Sequence, residues 1–292
     1  MMGGTVSVQA IGEGDAAALE RAARIVLDRI DAWAGRLTRF SAESELMRVN
    51  ASEAALVPIG PTLTAVLDWA RRAEGLTDGL VDIALLDERL AAEAGVDPSV
   101  PAAAGRRWSL RRLSSGAVVD REPGVRFDLD GVAKGWLADR AIAIVPGRSV
   151  LVDGDGDIAL RVAPGDAWGV GIADPRRPGA LLATLELTAT DDRTRAWGIA
   201  TSGTSVHRWA HAAGDAHHLI DPRTRRPAAT DVVQATVLAD TARVAEAFAK
   251  TAVIAGSGRA FGLLDHPDVR GVLLLTERGE IRATPGMVRW LV

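Results

Sequence analysis

The chain has 292 residues, 48% of them hydrophobic, enough for one large core or two closely joined ones. A net charge of −4 excludes a general electrostatic attraction to nucleic acid. With no cysteine and no tyrosine, disulfides, thiolate metal sites, cysteine nucleophiles and phenolic acids or bases are excluded, and no lipoprotein-type anchor is expected.

The opening MMGGTVSVQAIGEGD has no basic segment followed by an apolar run, so no signal peptide is expected. No apolar stretch is long enough to span a bilayer, and the expectation is a soluble cytoplasmic protein with neither membrane nor nucleic-acid partners. Thr5 to Ala10 alternates and predicts a strand. Asp15 suits the cap of a long helix with Leu19, Ala22, Val26, Ile30 and Trp33 on one face. Ser41 to Val49 predicts a short helix; Pro61 suits the start of the next helix and Gly75 its end. Residues 107–129 predict strands joined by SSG and EPG turns, and VAKGWLADRAIAIV predicts a helix leaving the last of them. From Ser149 to Val237 the pattern is of short strands: SVLV, DIALRV, WGVGI, LLATLEL, WGIAT, HHLI and VVQATVL. Residues 241–255 predict a second clear helix, and LLLTERGEIRA a hairpin. Helices and strands come in runs, which argues for α+β over a doubly wound fold. No repeat, linker or boundary interrupts the pattern, so residues 1–292 are expected to form a single domain.

Three motifs fail on inspection. GDGDIA (Gly154 to Ala159) fits a dinucleotide fingerprint, but the next residues alternate like a strand instead of opening a helix, and Asp155 and Asp157 repel phosphate. Asp153, Asp155 and Asp157 start like a calcium loop, but Ile158 and Pro164 stand where glycine and glutamate are needed. An Asp-Gly turn between two strands remains. His207 and His211 are spaced as on a zinc helix, yet lack the glutamate and a third ligand, and read as exposed.

Four constellations survive. Only two of the 34 Lys and Arg residues are lysine, Lys134 and Lys250; a site too narrow for a guanidinium would explain both, as would chance. RFDLDGVAKGW reads as a strand ending in Asp-Gly and feeding a helix of small residues, whose first N–H groups and Lys134 suit an anion. IATSGT (Ile199 to Thr204) gathers hydroxyls beside a glycine, and HHLIDPRT sets His218 near Asp221, a general-base pattern. Glu246 and Lys250 are i,i+4, the favoured order for a surface ion pair contributing roughly 0.2–0.5 kcal/mol. Each also has an ordinary reading: a solvated lysine, a polar turn, a structural histidine, a surface pair.

The pieces occur in one recognisable order. MGGTVSV, FSAESELMRVN, TDGLVDIALL, RFDLDGVAKGWLADRA, VDGDGDI, WGVGIADP, IATSGT, HHLIDPRTRRP and VAEAFAKTAVIAG together resemble the ApbE family of FAD:protein FMN transferases, from Met2 to about Gly256. The resemblance implies an α+β, tunnelling-fold-like architecture of two intimately joined lobes, with FAD in the groove between them. It implies that the FAD pyrophosphate is cleaved, AMP is released, and FMN is attached by a phosphoester to a Thr or Ser hydroxyl of a target protein. Phosphoryl transfer needs charge neutralisation, in-line positioning and a proton acceptor. The resemblance assigns phosphate binding to Lys134 and the loop from Asp130, phosphate or flavin contact to Thr201 and Ser202, and the base to His218 with Asp221 in support. Asp82 stands in the family's F-D-P-T run, here VDIA; Met2 and Phe40 are candidates for packing on flavin or adenine.

The family's magnesium site is where the sequence departs. The late helix usually reads A-D-A-L-A-T, with Asp and Thr as ligands beside a backbone carbonyl, here that of Ala133. This chain has A-E-A-F-A-K, placing Glu246 and Lys250 at those positions; Thr251 lies about 100° around the helix. Three readings follow: the Lys250 ammonium replaces the metal and is held by Glu246; Glu246 holds a displaced magnesium; or the metal site is degenerate. The alternatives to flavin transfer are accordingly FAD hydrolysis to FMN and AMP, or a non-catalytic flavin-binding protein. Arg225 stands where the family usually has glycine and, like Arg226, reads as solvated.

Overall fold

A computed structural model describes residues 4–12, 16–96, 107–114, 116–189, 193–205, 208–211 and 214–292. Its centre is a seven-stranded sheet in the order Val6–Ile11, Ser149–Gly154, Ile158–Val162, Arg195–Gly203, Val232–Ala239, Val269–Thr276, Ile281–Ala283. Every neighbouring pair is antiparallel. This is the α+β arrangement expected from elements that come in runs.

Strand period two divides the residues of the sheet between two cores. Ala235, Val237 and Ala239 join a core with Phe248, Ala249 and Ala252 of the helix Ala242–Ala255. Leu238, Ile199 and Leu160 join a second core with Val170, Ile172, Leu185 and Leu187 of the hairpin Ala167–Ala173/Leu181–Thr188. The helix Ala133–Ile142 packs beside Ala242–Ala255 and on the strands Ser149–Gly154 and Ile158–Val162. The long helix Ala16–Leu37 turns Val26 and Ile30 inward, on the predicted face; its expected cap, Asp15, lies outside the described residues. Among the described residues no helix is long and apolar enough to cross a membrane.

Several local expectations are corrected. The helix expected from Ser41 starts at Glu45, because Ser44 is its N-cap and accepts from the Met47 N–H at 3.0 Å. Gly75 lies inside the helix Pro61–Leu76; Asp78 and Gly79, at φ 50° and 74°, take the left-handed positions past its end. Residues 125–129 form no ladder strand. The Asn50 side chain occupies the partner position, donating to the Phe127 carbonyl and accepting from its N–H, both at 2.8 Å. HHLI is not one strand: His217 ends Gly214–His217, and Ile220–Asp221 begins a new ribbon. A helix that the sequence did not announce, Leu86–Glu93, follows Leu85, which makes no side-chain capping bond.

Two glycines let the central elements approach closely. A Cβ at Gly198 would lie 2.0 Å from the Thr241 carbonyl carbon, and one at Gly135 would lie 2.6 Å from the Ala242 carbonyl oxygen. Both contacts seat the start of the helix Ala242–Ala255. Its first amides are satisfied from outside: Asp139 accepts from the N–H groups of Ala242 (2.8 Å) and Arg243 (3.2 Å). Backbone cannot yield as a side-chain tip can, so Gly135→Ala is expected to cost about 1–3 kcal/mol in urea unfolding. An unchanged midpoint would show that the two helices slide apart freely.

Candidate active site

A cavity of about 540 Å³ is lined by side chains from Arg39 at one end of the sequence to Lys250 at the other. Its construction begins at the loop Asp128–Val132. The Asp130 N–H donates to the carboxylate two residues back, Asp128 Oδ1, at 3.0 Å, turning the chain ahead of the helix Ala133–Ile142. Gly131 has φ 109°, and a Cβ there would sit 2.7 Å from the Lys250 ammonium. The backbone conformation calls for glycine, and its lack of a Cβ leaves the space that the Lys250 side chain occupies.

Lys134, in the first turn of that helix, reaches Asp157 at 3.1 Å. The Asp157 charge is the strongest influence on it and, aided by Asp130 and Glu246, outweighs burial to hold the ammonium's pKa well above its ordinary value. Burial acts on the Asp157 carboxyl too, pushing it up to about 6 against the pull of Lys134. Asp130 behaves oppositely: burial opposes its ionisation, but Lys134, His218, Arg89 and Lys250 prevail and bring it down to about 2.

Glu246 and Lys250 face this cavity from the helix Ala242–Ala255, but they are not the solvated pair of the simple reading. Glu246 is only 3% exposed; its Oε2 accepts from the Gly135 N–H at 3.0 Å. Burial, then the Asp157 charge, raises its pKa well above the usual carboxylate range, against Lys134 and the Gly135 N–H. Lys250 instead donates to the Asp130 carbonyl at 3.2 Å. The expectation that Glu246 holds the Lys250 ammonium is therefore corrected: the cation acting most strongly on Glu246 is Lys134. Thr251 turns into the core and donates to the Ala247 carbonyl at 2.8 Å, away from the site as expected.

Thr201, Ser202 and His218 line the same cavity, with Phe40 at 66% exposure on its rim. Thr201 Oγ1 lies 2.8 Å from Thr236 Oγ1 on the neighbouring strand. Asp82 lines a small adjoining recess with Asp128, Asp130, His218 and Lys250, and its Oδ1 accepts from the Ala84 N–H at 2.8 Å. Asp221 is not brought in. Its two oxygens accept from Arg223, at 2.9 and 2.8 Å, because Arg223 lies just beyond it in the turn. His218 shares that recess with Asp82, Asp128 and Asp130, and its charge acts on Asp130; Asp221 is not among the lining, against the expected pairing. Met2 and His207 lie outside the described residues, and the side chain of His211 is not described either.

Other lining residues escaped the sequence reading. Arg89 and Glu93 come from the unannounced helix; Arg39 and Arg89 both bind the Glu93 carboxylate. Trp209 stands on the rim with the Arg89 guanidinium 5.2 Å from its ring centroid. Asp155 and Gly156, at φ 63° and 90°, do form the expected Asp-Gly turn. What the turn reading missed is that it aims Asp157 at Lys134. One of only two lysines, upstream of an unplaced acidic turn, was the signal. Arg225, expected in solvent, is 8% exposed and binds the buried Glu88 carboxylate. Its φ of 61° is the conformation that glycine favours at this turn.

Magnesium does not fit this donor set. Of the ligands implied by the resemblance, Glu246 retains one buried oxygen, Oε1, with no hydrogen-bond partner among the described residues. Residue 250 brings an ammonium, which cannot ligate a cation, and that ammonium lies on the Asp130 carbonyl. Ala133 is fully buried in the first helical turn and does not line the cavity. No cluster of three His, Cys, Asp or Glu with metal-holding geometry occurs among the described residues.

The chain is similar to known proteins over most of its length. The chain is 27% identical over 299 residues to the FAD:protein FMN transferase of Salmonella typhimurium, a match spanning 94% of this chain and 81% of that protein. It is 30% identical over 181 residues to the FAD:protein FMN transferase of Treponema pallidum, covering 57% of this chain and 48%, about half, of that relative. The fold matches the ApbE protein of Thermotoga maritima with a TM-score of 0.81 at 21% identity, over 99% of this chain and 96% of that one. It matches the flavinyl transferase ApbE of Pseudomonas stutzeri at 0.77 and 18% identity, over 99% and 94%. The sequence model of the ApbE family aligns with residues 2–273, and the chain belongs to the ApbE family.

Proposed function

We propose that the chain, acting as one domain over residues 1–292, is an FAD:protein FMN transferase. It takes FAD and a protein bearing an acceptor Thr or Ser. The observation that carries this reading is the convergence of Lys134, Lys250, His218 and the Thr201–Ser202 hydroxyls on one cavity, in a family whose curated relatives bear that name. The acceptor hydroxyl oxygen attacks the FMN phosphorus. The bond from that phosphorus to the bridging oxygen breaks, its electron pair leaves with AMP, and the hydroxyl proton passes to His218. Lys134 and the amides near Gly131 bind the phosphoryl oxygens, where negative charge gathers during transfer. Thr201 and Ser202 hold phosphate or the flavin ring. Phe40 and Trp209, both on the rim, pack on the ring systems.

The test is a mass measurement on a purified Thr- or Ser-containing acceptor incubated with FAD, alongside AMP release. The expected result is a gain of one FMN per acceptor and one AMP per gain. AMP with an unmodified acceptor would instead make the chain a pyrophosphatase, and FAD binding with neither product would make it a binding protein. Within this mechanism, His218→Asn is expected to lower kcat by about 10²–10⁴-fold while FAD affinity stays within a few-fold. Stopped-flow AMP release and fluorescence titration separate the two quantities. An equal loss in both would assign His218 to binding instead.

A further inference from the structure

We infer that the Lys250 ammonium is a built-in substitute for a divalent cation, so that this chain's phosphoryl transfer needs no metal. The inference rests on the flavin-transfer reading and deepens it. Three observations carry it. Lys250 projects into the cavity from the helix Ala242–Ala255 and donates to the Asp130 carbonyl at 3.2 Å, a hard oxygen of the kind that binds magnesium. An ammonium has three donors; among the described residues Lys250 uses one and forms no ion pair within 4.0 Å. Lys134 differs in that its charge is paired with Asp157, which leaves its other two donors for the phosphoryl oxygens.

The third observation is the fit of the seat. Gly131 has φ 109°, and a Cβ there would lie 2.7 Å from the Lys250 Nζ and 2.9 Å from its Cδ. Glycine at 131 leaves the space that this thin stem occupies, in a chain whose other basic residues, Lys134 excepted, are arginine. The two uncommitted N–H donors would meet a non-bridging phosphoryl oxygen and share its developing charge. A protonated amine at that point also repels a divalent ion from the Glu246 oxygen one turn away.

The decisive experiment has two independent readouts on wild type, Lys250→Met and Lys250→Thr: AMP release, and Mn²⁺ binding followed by the loss of its free paramagnetic signal. Wild type is expected to release AMP at the same rate, within twofold, in chelator and in millimolar Mg²⁺, and to leave the Mn²⁺ signal unchanged. Lys250→Met is expected to lose at least 100-fold in turnover while still binding FAD. Lys250→Thr is expected to quench the Mn²⁺ signal and to recover turnover only with added metal. Wild-type turnover that disappears in chelator and returns with Mg²⁺ would overturn the inference and leave flavin transfer standing. So would stoichiometric Mn²⁺ binding by wild type that is lost in Glu246→Gln. Wild type that binds FAD but releases no AMP, with or without metal, would instead overturn the transfer reading, and this inference with it.

Discussion

Lys134→Ala is expected to lower the rate of AMP release by about 10³-fold and to destabilise the fold at neutral pH. The first effect follows from position: the side chain enters the cavity from the first turn of Ala133–Ile142, beside the loop at Gly131. Removing one preorganised donor from a phosphoryl or oxyanion site commonly costs 10²–10³-fold, and a full charge in a low-dielectric cavity counts for more than a neutral donor. The second effect follows from what remains. Asp157 and Glu246 are both almost fully buried, and Lys134 acts on each. Without it, both folded-state pKa values rise further above their unfolded values. A carboxyl raised in this way loses stability as pH climbs from its unfolded pKa toward its folded one. The variant is therefore expected to melt close to wild type near pH 4.5 and progressively lower by pH 8. Thermal melts across that range, paired with AMP assays, test both halves. A deficit that does not grow with pH would mean that Lys134 contributes packing and not charge.

The second large effect lies outside the cavity. Arg225→Ala is expected to cost about 3–5 kcal/mol in urea unfolding, because it leaves the Glu88 carboxylate buried without its guanidinium. Arg225→Gly is expected to be milder by about 1 kcal/mol, since residue 225 sits at φ 61°, where a Cβ is penalised and glycine is not. Adding Glu88→Gln to either variant should recover much of the loss, because a neutral amide is cheaper to bury unpaired than a charge. If Glu88→Gln in the Arg225→Gly background gives no recovery, the pair is not what holds this turn. Glu88 shares the helix Leu86–Glu93 with Arg89 and Glu93, so FAD affinity should weaken together with stability.

What the sequence disclosed depended on whether the information was local. The Asp130–Gly131 turn, the helix behind Lys134 and the IATSGT strand end were legible, because turn chemistry and periodicity lie within a few residues. The class followed from the runs of strands, as the antiparallel central sheet bears out. Side-chain direction was not legible. His218 and Asp221 are near in sequence, but the break between two short ribbons separates them, and Arg223 captures the carboxylate. Arginine at position 225 looked like one more surface charge; its burial depends on Glu88, far back along the chain. Residues 125–129 carried a sound strand pattern, yet their partner is the side chain of Asn50, which no strand periodicity announces. The helix Leu86–Glu93 began without a side-chain cap, and only Asp87 and Glu88 in its first turn marked its start.

The cavity wall, finally, draws Arg39 and Phe40 from near the start of the chain and Glu246 and Lys250 from near its end. A dinucleotide lodged there touches segments that meet only in the native state and are scattered in the denatured one. Occupancy at a hundredfold excess over Kd therefore adds about 2.7 kcal/mol to the folded side. It adds this to the chain as a whole and not to one corner of it. Clipping in any of the contributing stretches should then release flavin everywhere at once, and protection from proteolysis would report the nucleotide as faithfully as fluorescence does.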